Sequence, residues 1–249
     1  MQKINKKLVA HRGFSKEYPE NSHAAILAAL QSGAYNIEFD VQLSKDEIPY
    51  VIHDSELKRT TGKDGLIYEL SSVELKEYKV AFVSRFGDTY AHESLPSLEK
   101  IVELLSEWPN CKVFVEAKRA SISRFGLKSV YENIVKVLDP ILKQAIIISF
   151  DIEFVKYAKQ QGFPQIAWVF DQWNDTVKDQ LYRLQPEYVF TDWECVPTDI
   201  IKLWPGAWHW VIYEIDDPQL ALDWINKGAD LIETNDIGGM LKSLQDSAS

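Results

Sequence analysis

The residues best suited to chemistry lie in the run Ile37-Glu38-Phe39-Asp40-Val41. Along a strand, side chains two apart share a face. Glu38 and Asp40 therefore point together, and Ile37, Phe39 and Val41 point the other way. The apolar set must meet a hydrophobic layer, which leaves two carboxylates side by side in the interior. Such neighbours repel, and burying each unpaired costs several kcal/mol, so something positive must answer them. A second run, Val115-Glu116-Ala117-Lys118, puts Glu116 and Lys118 on one face. Glu38, Asp40 and Glu116 together outweigh that one lysine. An all-oxygen set suits Mg2+ or Ca2+ better than zinc, which prefers His and Cys. An internal salt-bridge network is the alternative on spacing alone.

Two of the five histidines stand near these carboxylates. His11 closes the first strand-like run and precedes Arg12-Gly13. His53 closes the extended stretch that begins at Ile48 and precedes Asp54. Imidazole titrates near neutral pH and serves as general acid or base. His23, His92 and His209 read as structural. The Arg12 guanidinium can hold two phosphoryl oxygens at once. With Lys118 and a dication it would form a positive pocket that stabilises charge developing on phosphorus oxygens. A surface ion pair with Glu20 is the alternative for Arg12.

These residues need a frame. Short runs rich in Val, Ile, Phe and Tyr fall at 8–11, 35–43, 112–117, 145–150, 166–170, 188–191, 210–215 and 231–234, with helical periodicity between them. Asp151 and Asn174 suit helix N-caps, and Gly33, Gly162 and Gly228 suit helix stops. Strands that each lead into a helix, at this count, predict an α/β fold: a closed (β/α)8 TIM barrel. The runner-up, an open doubly wound sheet, lacks its Gly-rich turn after the first strand. The connection from Leu43 to Pro96 is far longer than an ordinary βα loop and predicts a small insertion after strand 2, at about residues 54–95, over the barrel mouth. The chain reads as one domain, 1–249, with that insertion.

The 249 residues carry a net charge of −10 with 46% apolar content, which fits a globular protein and speaks against a general nucleic-acid binder. Cys111 and Cys195 are too few for a disulfide framework. No run suits a signal peptide or a spanning helix, so a soluble, cytoplasmic protein without stable membrane insertion is expected. A homodimer stays open. Trp168, Phe170, Trp173, Phe190, Trp193 and Tyr213 fall near the ends of strands 5 to 7. They would either line a channel for a choline-like head group through cation–π contact or simply pack the core and rim.

The ordered fragments His11-Arg12-Gly13, Pro19-Glu20-Asn21-Ser22, Glu38-Phe39-Asp40, His53-Asp54, Arg59-Thr60-Thr61-Gly62, Leu95-Pro96-Ser97-Leu98, Glu116-Ala117-Lys118, Ser149-Phe150 and Gly228-Ala229-Asp230 resemble the glycerophosphodiester phosphodiesterase family. The resemblance spans nearly the whole chain. It implies a TIM barrel with an insertion after the second strand, and a metal-dependent hydrolase. The substrate would be a small glycerophosphodiester, cleaved to sn-glycerol 3-phosphate and an alcohol by way of a cyclic phosphate. By match to the family pattern, Glu38, Asp40 and Glu116 would hold one divalent cation, Mg2+ or Ca2+. His11 and His53 would form the acid/base pair, in either order. Arg12, Lys118 and Tyr213 would bind substrate. Glu20 and Asn21 would stand behind the ligands, with direct ligation open for Glu20.

The chain departs from the family pattern in four places. Ser22 replaces the commoner Thr. Tyr213-Glu214-Ile215-Asp216 stands where the family reads an aromatic, then Thr-Val-Asn. Glu233-Thr234-Asn235-Asp236 stands near the usual Thr-Asp pair, and the segment from Ala81 to Glu93 lacks the Gly-aromatic pattern. These changes bear on substrate choice more than on chemistry. A lysophospholipase D or sphingomyelinase D-like enzyme acting on lipids is one rival reading. A non-catalytic phosphodiester-binding barrel and an unrelated metal-dependent barrel are others.

Overall fold

The computed structural model describes residues 6–246. The outermost residues of the expected domain, 1–5 and 247–249, lie outside it. Nine strands form one sheet: β1 Leu8–Ala10, β2 Asn36–Leu43, β3 Pro49–Val51, β4 Lys112–Ala117, β5 Ala145–Ser149, β6 Ile166–Phe170, β7 Tyr188–Asp192, β8 His209–Tyr213 and β9 Leu231–Thr234. All pair in parallel except β3, which runs antiparallel to β2. β1 pairs with both β2 and β9, so the parallel strands close on themselves as a TIM barrel.

Alternation along each strand separates two cores. Ile37, Phe39 and Val41 of β2 point outward into the layer shared with the helices. Val9, Phe114, Ile146, Val169, Phe190 and Val211 point inward and plug the barrel. Phe114 meets Tyr188 and Phe190 edge-on, with ring centroids 5.1 Å apart in both pairs. This apolar plug separates the polar side chains at the carboxyl end, Glu38 and Asp40 among them, from those at the amino end, such as buried Asn36.

The helices are fixed by their caps. Ser22, Ser97, Asp151, Asn174 and Asp217 each accept from a backbone amide of the first turn, a bond worth about 1 kcal/mol. Gly228 ends the helix Pro218–Lys227 in the left-handed conformation that a Cβ would penalise.

The chain departs from strict alternation after β7. A 3-10 turn, Trp193–Cys195, and an irregular stretch lead to β8, where the sequence pattern predicts a helix. Pro197 and Pro205 each lack an N–H, and Gly206 favours irregular backbone, so a continuous helix is disfavoured there. Val196, Leu203 and Trp208 are buried and cover the barrel face in its place.

The long connection after β2 begins with β3 and returns through a bridge between Tyr50 and Ser97. It carries its own small core of Tyr50, Ile52, Leu57, Ile67, Leu75, Val80 and Leu95. No helix among the described residues is long and apolar enough to cross a membrane.

Candidate active site

β2 and β4 bring the three carboxylates together. Their register sets Asp40 opposite Glu116. One oxygen each from Glu38, Asp40 and Glu116 lies within 4.8 Å of the others, and all three residues are buried. Asp40 is the most heavily bonded. Its Oδ2 accepts from Asn21 Nδ2 at 2.8 Å, and its own N–H donates to Asn21 Oδ1. Arg12 Nε stands 3.1 Å from Asp40 Oδ2, and Lys118 Nζ 3.2 Å from Oδ1. Lys118 also pairs with Glu116 at 2.7 Å. Arg12 N–H donates to Glu38 Oε2.

The loop after β1 makes this possible. Arg12 and Asn21 both hold left-handed backbone, with φ of 54° and 58°, a conformation that costs a non-glycine residue of order 1–3 kcal/mol. Between them, Gly13 lies so close to the helix His23–Gln31 that a Cβ would stand 2.6 Å from the Ala25 carbonyl carbon. Only glycine lets the Arg12 loop seat there.

Electrostatics divides the carboxylates. Burial raises the Asp40 pKa, but Lys118 and Arg12 outweigh it and hold the group well below the usual range. Burial, then Asp40 and Glu233, push Glu38 well above its ordinary value. Burial raises Glu116 to about 7 in spite of Lys118. Buried Glu38 Oε1 has no hydrogen-bond partner. An orphaned buried oxygen inside an all-oxygen trio fits a hard dication, so the residues present fit the metal that the sequence implies. This buried cluster can hold a metal ion.

Both histidines line the same cavity, of about 210 Å3. His11 Nδ1 lies 3.0 Å from Asn235 Oδ1 and 3.5 Å from Glu214 Oε1, while Nε2 faces Glu38 at 3.9 Å. Burial, aided by Arg12, lowers the His11 pKa. His53 Nδ1 is 2.6 Å from Asp54 Oδ1, and Arg59 Nε donates to Asp54 Oδ2. Glu20 bridges Arg12 and Arg59 and stands outside the carboxylate trio. Arg12, Lys118 and Tyr213 all line the cavity.

The strand-end aromatics divide between the two roles the sequence left open, channel lining and packing. Trp168 and Phe170 point outward and pack with Trp173 in the helix layer, where Trp193 also packs. Strand alternation forces this, because Val169 between them faces the cavity. Phe190 and Tyr213 do line the cavity, joined by Phe150, Ile148 and Val169. One wall is therefore charged and the opposite wall apolar.

Several residues of the site have no role assigned from sequence. Glu214 and Glu233 line the cavity, Asn235 orients His11, and Asp54 and Arg59 brace His53. Glu233 was findable: on β9 it alternates with outward-facing Ile232, by the rule that places Glu38. Glu214 and Asn235 lie just past strand ends, where no periodicity fixes direction.

Residues 11–182 match the model of the Glycerophosphoryl diester phosphodiesterase family. The chain belongs to that family. It is 29% identical over 240 residues to the glycerophosphodiester phosphodiesterase of Caldanaerobacter subterraneus, covering 92% of this chain and 93% of the relative. Over 119 residues it is 42% identical to a Bacillus altitudinis glycerophosphodiester phosphodiesterase, covering 48% of this chain and 47% of that one. An Oleispira antarctica phosphodiesterase, solved in complex with the product sn-glycerol-3-phosphate, superposes with a TM-score of 0.83 at 26% identity over 96% of both chains. Family membership and these relatives make the chain an enzyme that hydrolyses small glycerophosphodiesters.

Proposed function

We propose that the chain cleaves glycerophosphodiesters to sn-glycerol 3-phosphate and an alcohol, with His11 and His53 as base and acid beside one divalent cation, Mg2+ or Ca2+. The observation that carries this reading is the convergence of Glu38, Asp40 and Glu116 in a cavity that both imidazoles line. When bound by these carboxylates, the dication would supply positive charge to the phosphoryl oxygens and acidify a neighbouring hydroxyl.

The hydrogen bonds support different tasks for the two imidazoles. Ser15 Oγ donates to Asn235 Oδ1, and Asn235 Nδ2 donates to Glu214 Oε2. This fixes the amide, so Asn235 Oδ1 can only accept from His11 Nδ1. His11 Nε2 then carries a lone pair toward the cavity, and burial favours the neutral ring. That is the state of a base. His53 donates Nδ1–H to Asp54, whose carboxylate orients the ring and counters its positive charge when both nitrogens are protonated, as an acid requires.

In the first half-reaction His11 takes the proton of the glycerol hydroxyl next to the diester. That oxygen attacks phosphorus, a cyclic phosphate closes, and the P–O bond to the alcohol breaks. His53 gives its proton to the departing alkoxide. In the second half-reaction water opens the ring with the histidines exchanging roles. Lys118 has three N–H donors, two directed at Asp40 and Glu116, which leaves one for a phosphoryl oxygen. Asn21 and Glu20 hold Asp40 and Arg12 in place.

The test is glycerol 3-phosphate release from a panel of glycerophosphodiesters, with Mg2+, with Ca2+ and with excess EDTA. Release that depends on added dication is expected. Full activity in chelator would overturn the metal assignment.

A further inference from the structure

Glu233 is an ionisable group that the reaction above does not use. It is 3% exposed, lines the cavity, and its Oε1 has no hydrogen-bond partner. It does not belong to the trio whose oxygens converge within 4.8 Å. Its strand, β9, lies beside β8, so it borders the wall that carries Tyr213, Phe190 and Phe150. A buried carboxyl oxygen without a hydrogen-bond partner, lining one cavity with aromatic rings, suits a seat for an organic cation.

The charges around the cavity agree. Glu38, Asp40, Glu116, Glu214 and Glu233 face Arg12 and Lys118. A phosphodiester adds a further negative charge, and a substrate carrying its own ammonium group cancels that addition.

We propose that Glu233 is a specificity-determining residue that accepts an N–H bond from a primary ammonium on the alcohol half of the substrate. The apolar wall of Tyr213, Phe190 and Phe150 packs on its methylenes. This rests on the reaction proposed above, and it selects diesters of amino alcohols bearing N–H groups. A quaternary ammonium offers charge but no donor, so it leaves Glu233 Oε1 unpaired.

The test measures kcat/KM of the metal-loaded enzyme for glycerophosphoethanolamine, glycerophosphocholine and glycerophosphoglycerol. The ethanolamine diester is expected to lead. Its ratio to the glycerol diester should fall about tenfold to a hundredfold in Glu233→Gln, the worth of a hydrogen bond to a charged group. Glu233→Asp should restore part of that ratio. A ratio unchanged in Glu233→Gln overturns the proposal. So does a wild-type enzyme that turns over the glycerol or the choline diester as well as the ethanolamine diester, a readout that stands even if a variant fails to fold. Turnover of no glycerophosphodiester at all would instead sink the proposed reaction.

Discussion

Asn235 Oδ1 stands 3.0 Å from His11 Nδ1, joining the loop after β9 to the end of β1. Ser15 and Glu214 hold the amide so that it can only accept that proton. Asn235→Leu should leave the ring free to swap tautomers. We expect kcat to fall at least about tenfold with KM little changed, part of the roughly 10²–10⁴-fold that a positioned acid or base supplies. Steady-state kinetics check this. An unchanged kcat would mean that the amide does not set the His11 tautomer.

His11→Ala and His53→Ala should each lose about 10²–10⁴-fold in turnover. Both side chains lie at the barrel mouth, so near-native circular dichroism is expected. Activity retained in both variants would remove the acid–base pair.

Asp40 and Glu38 should respond in opposite directions in metal-free protein. Asp40 is held ionised by Lys118 and Arg12. Asp40→Asn removes the carboxylate that Arg12 and Lys118 share, leaving them only Glu20 and Glu116, and should cost about 3 kcal/mol in urea denaturation. Glu38 is destabilised by burial and by its acidic neighbours. Glu38→Gln should therefore gain about 1 kcal/mol while abolishing activity, the trade expected of a strained site. Equal destabilisation by both would contradict the assigned charges.

Glu20 provides a pH signature. Burial opposes its charge, but Arg59 and Arg12 prevail and hold its pKa below the ordinary 4.5. Ionised Glu20 thus stabilises the fold above about pH 4.5, and that contribution is lost as the pH falls through the lowered folded-state value. Arg59 is 40% exposed, so the gain is modest, about 1–2 kcal/mol at pH 7. The melting-temperature gap between wild type and Glu20→Gln should be wider at pH 7 than at acid pH, narrowing as Glu20 protonates. A gap that widens on acidification would reverse the sign.

The barrel was legible because strand alternation is a strong constraint. Glu38 and Asp40 must oppose Ile37, Phe39 and Val41, and the closed sheet leaves only one interior for them. The same rule puts Glu233 inward and Trp168 and Phe170 outward, whereas nearness to strand ends alone left channel lining and packing both open. Loop residues were harder to read. Asn235 meets His11 only because β9 lies next to β1, a contact that no local pattern encodes. The segment between β7 and β8 covers the barrel with Leu203 and Trp208 in irregular chain, so helical periodicity could not reveal it.

Glu38, Asp40 and Glu116 are proposed to share one dication. Crystals soaked in Mn2+ and measured at its absorption edge test it most directly. A single strong anomalous peak is expected among these three carboxylates, lost in Glu116→Gln crystals. A map with no peak there, or a peak that persists without Glu116, would contradict it.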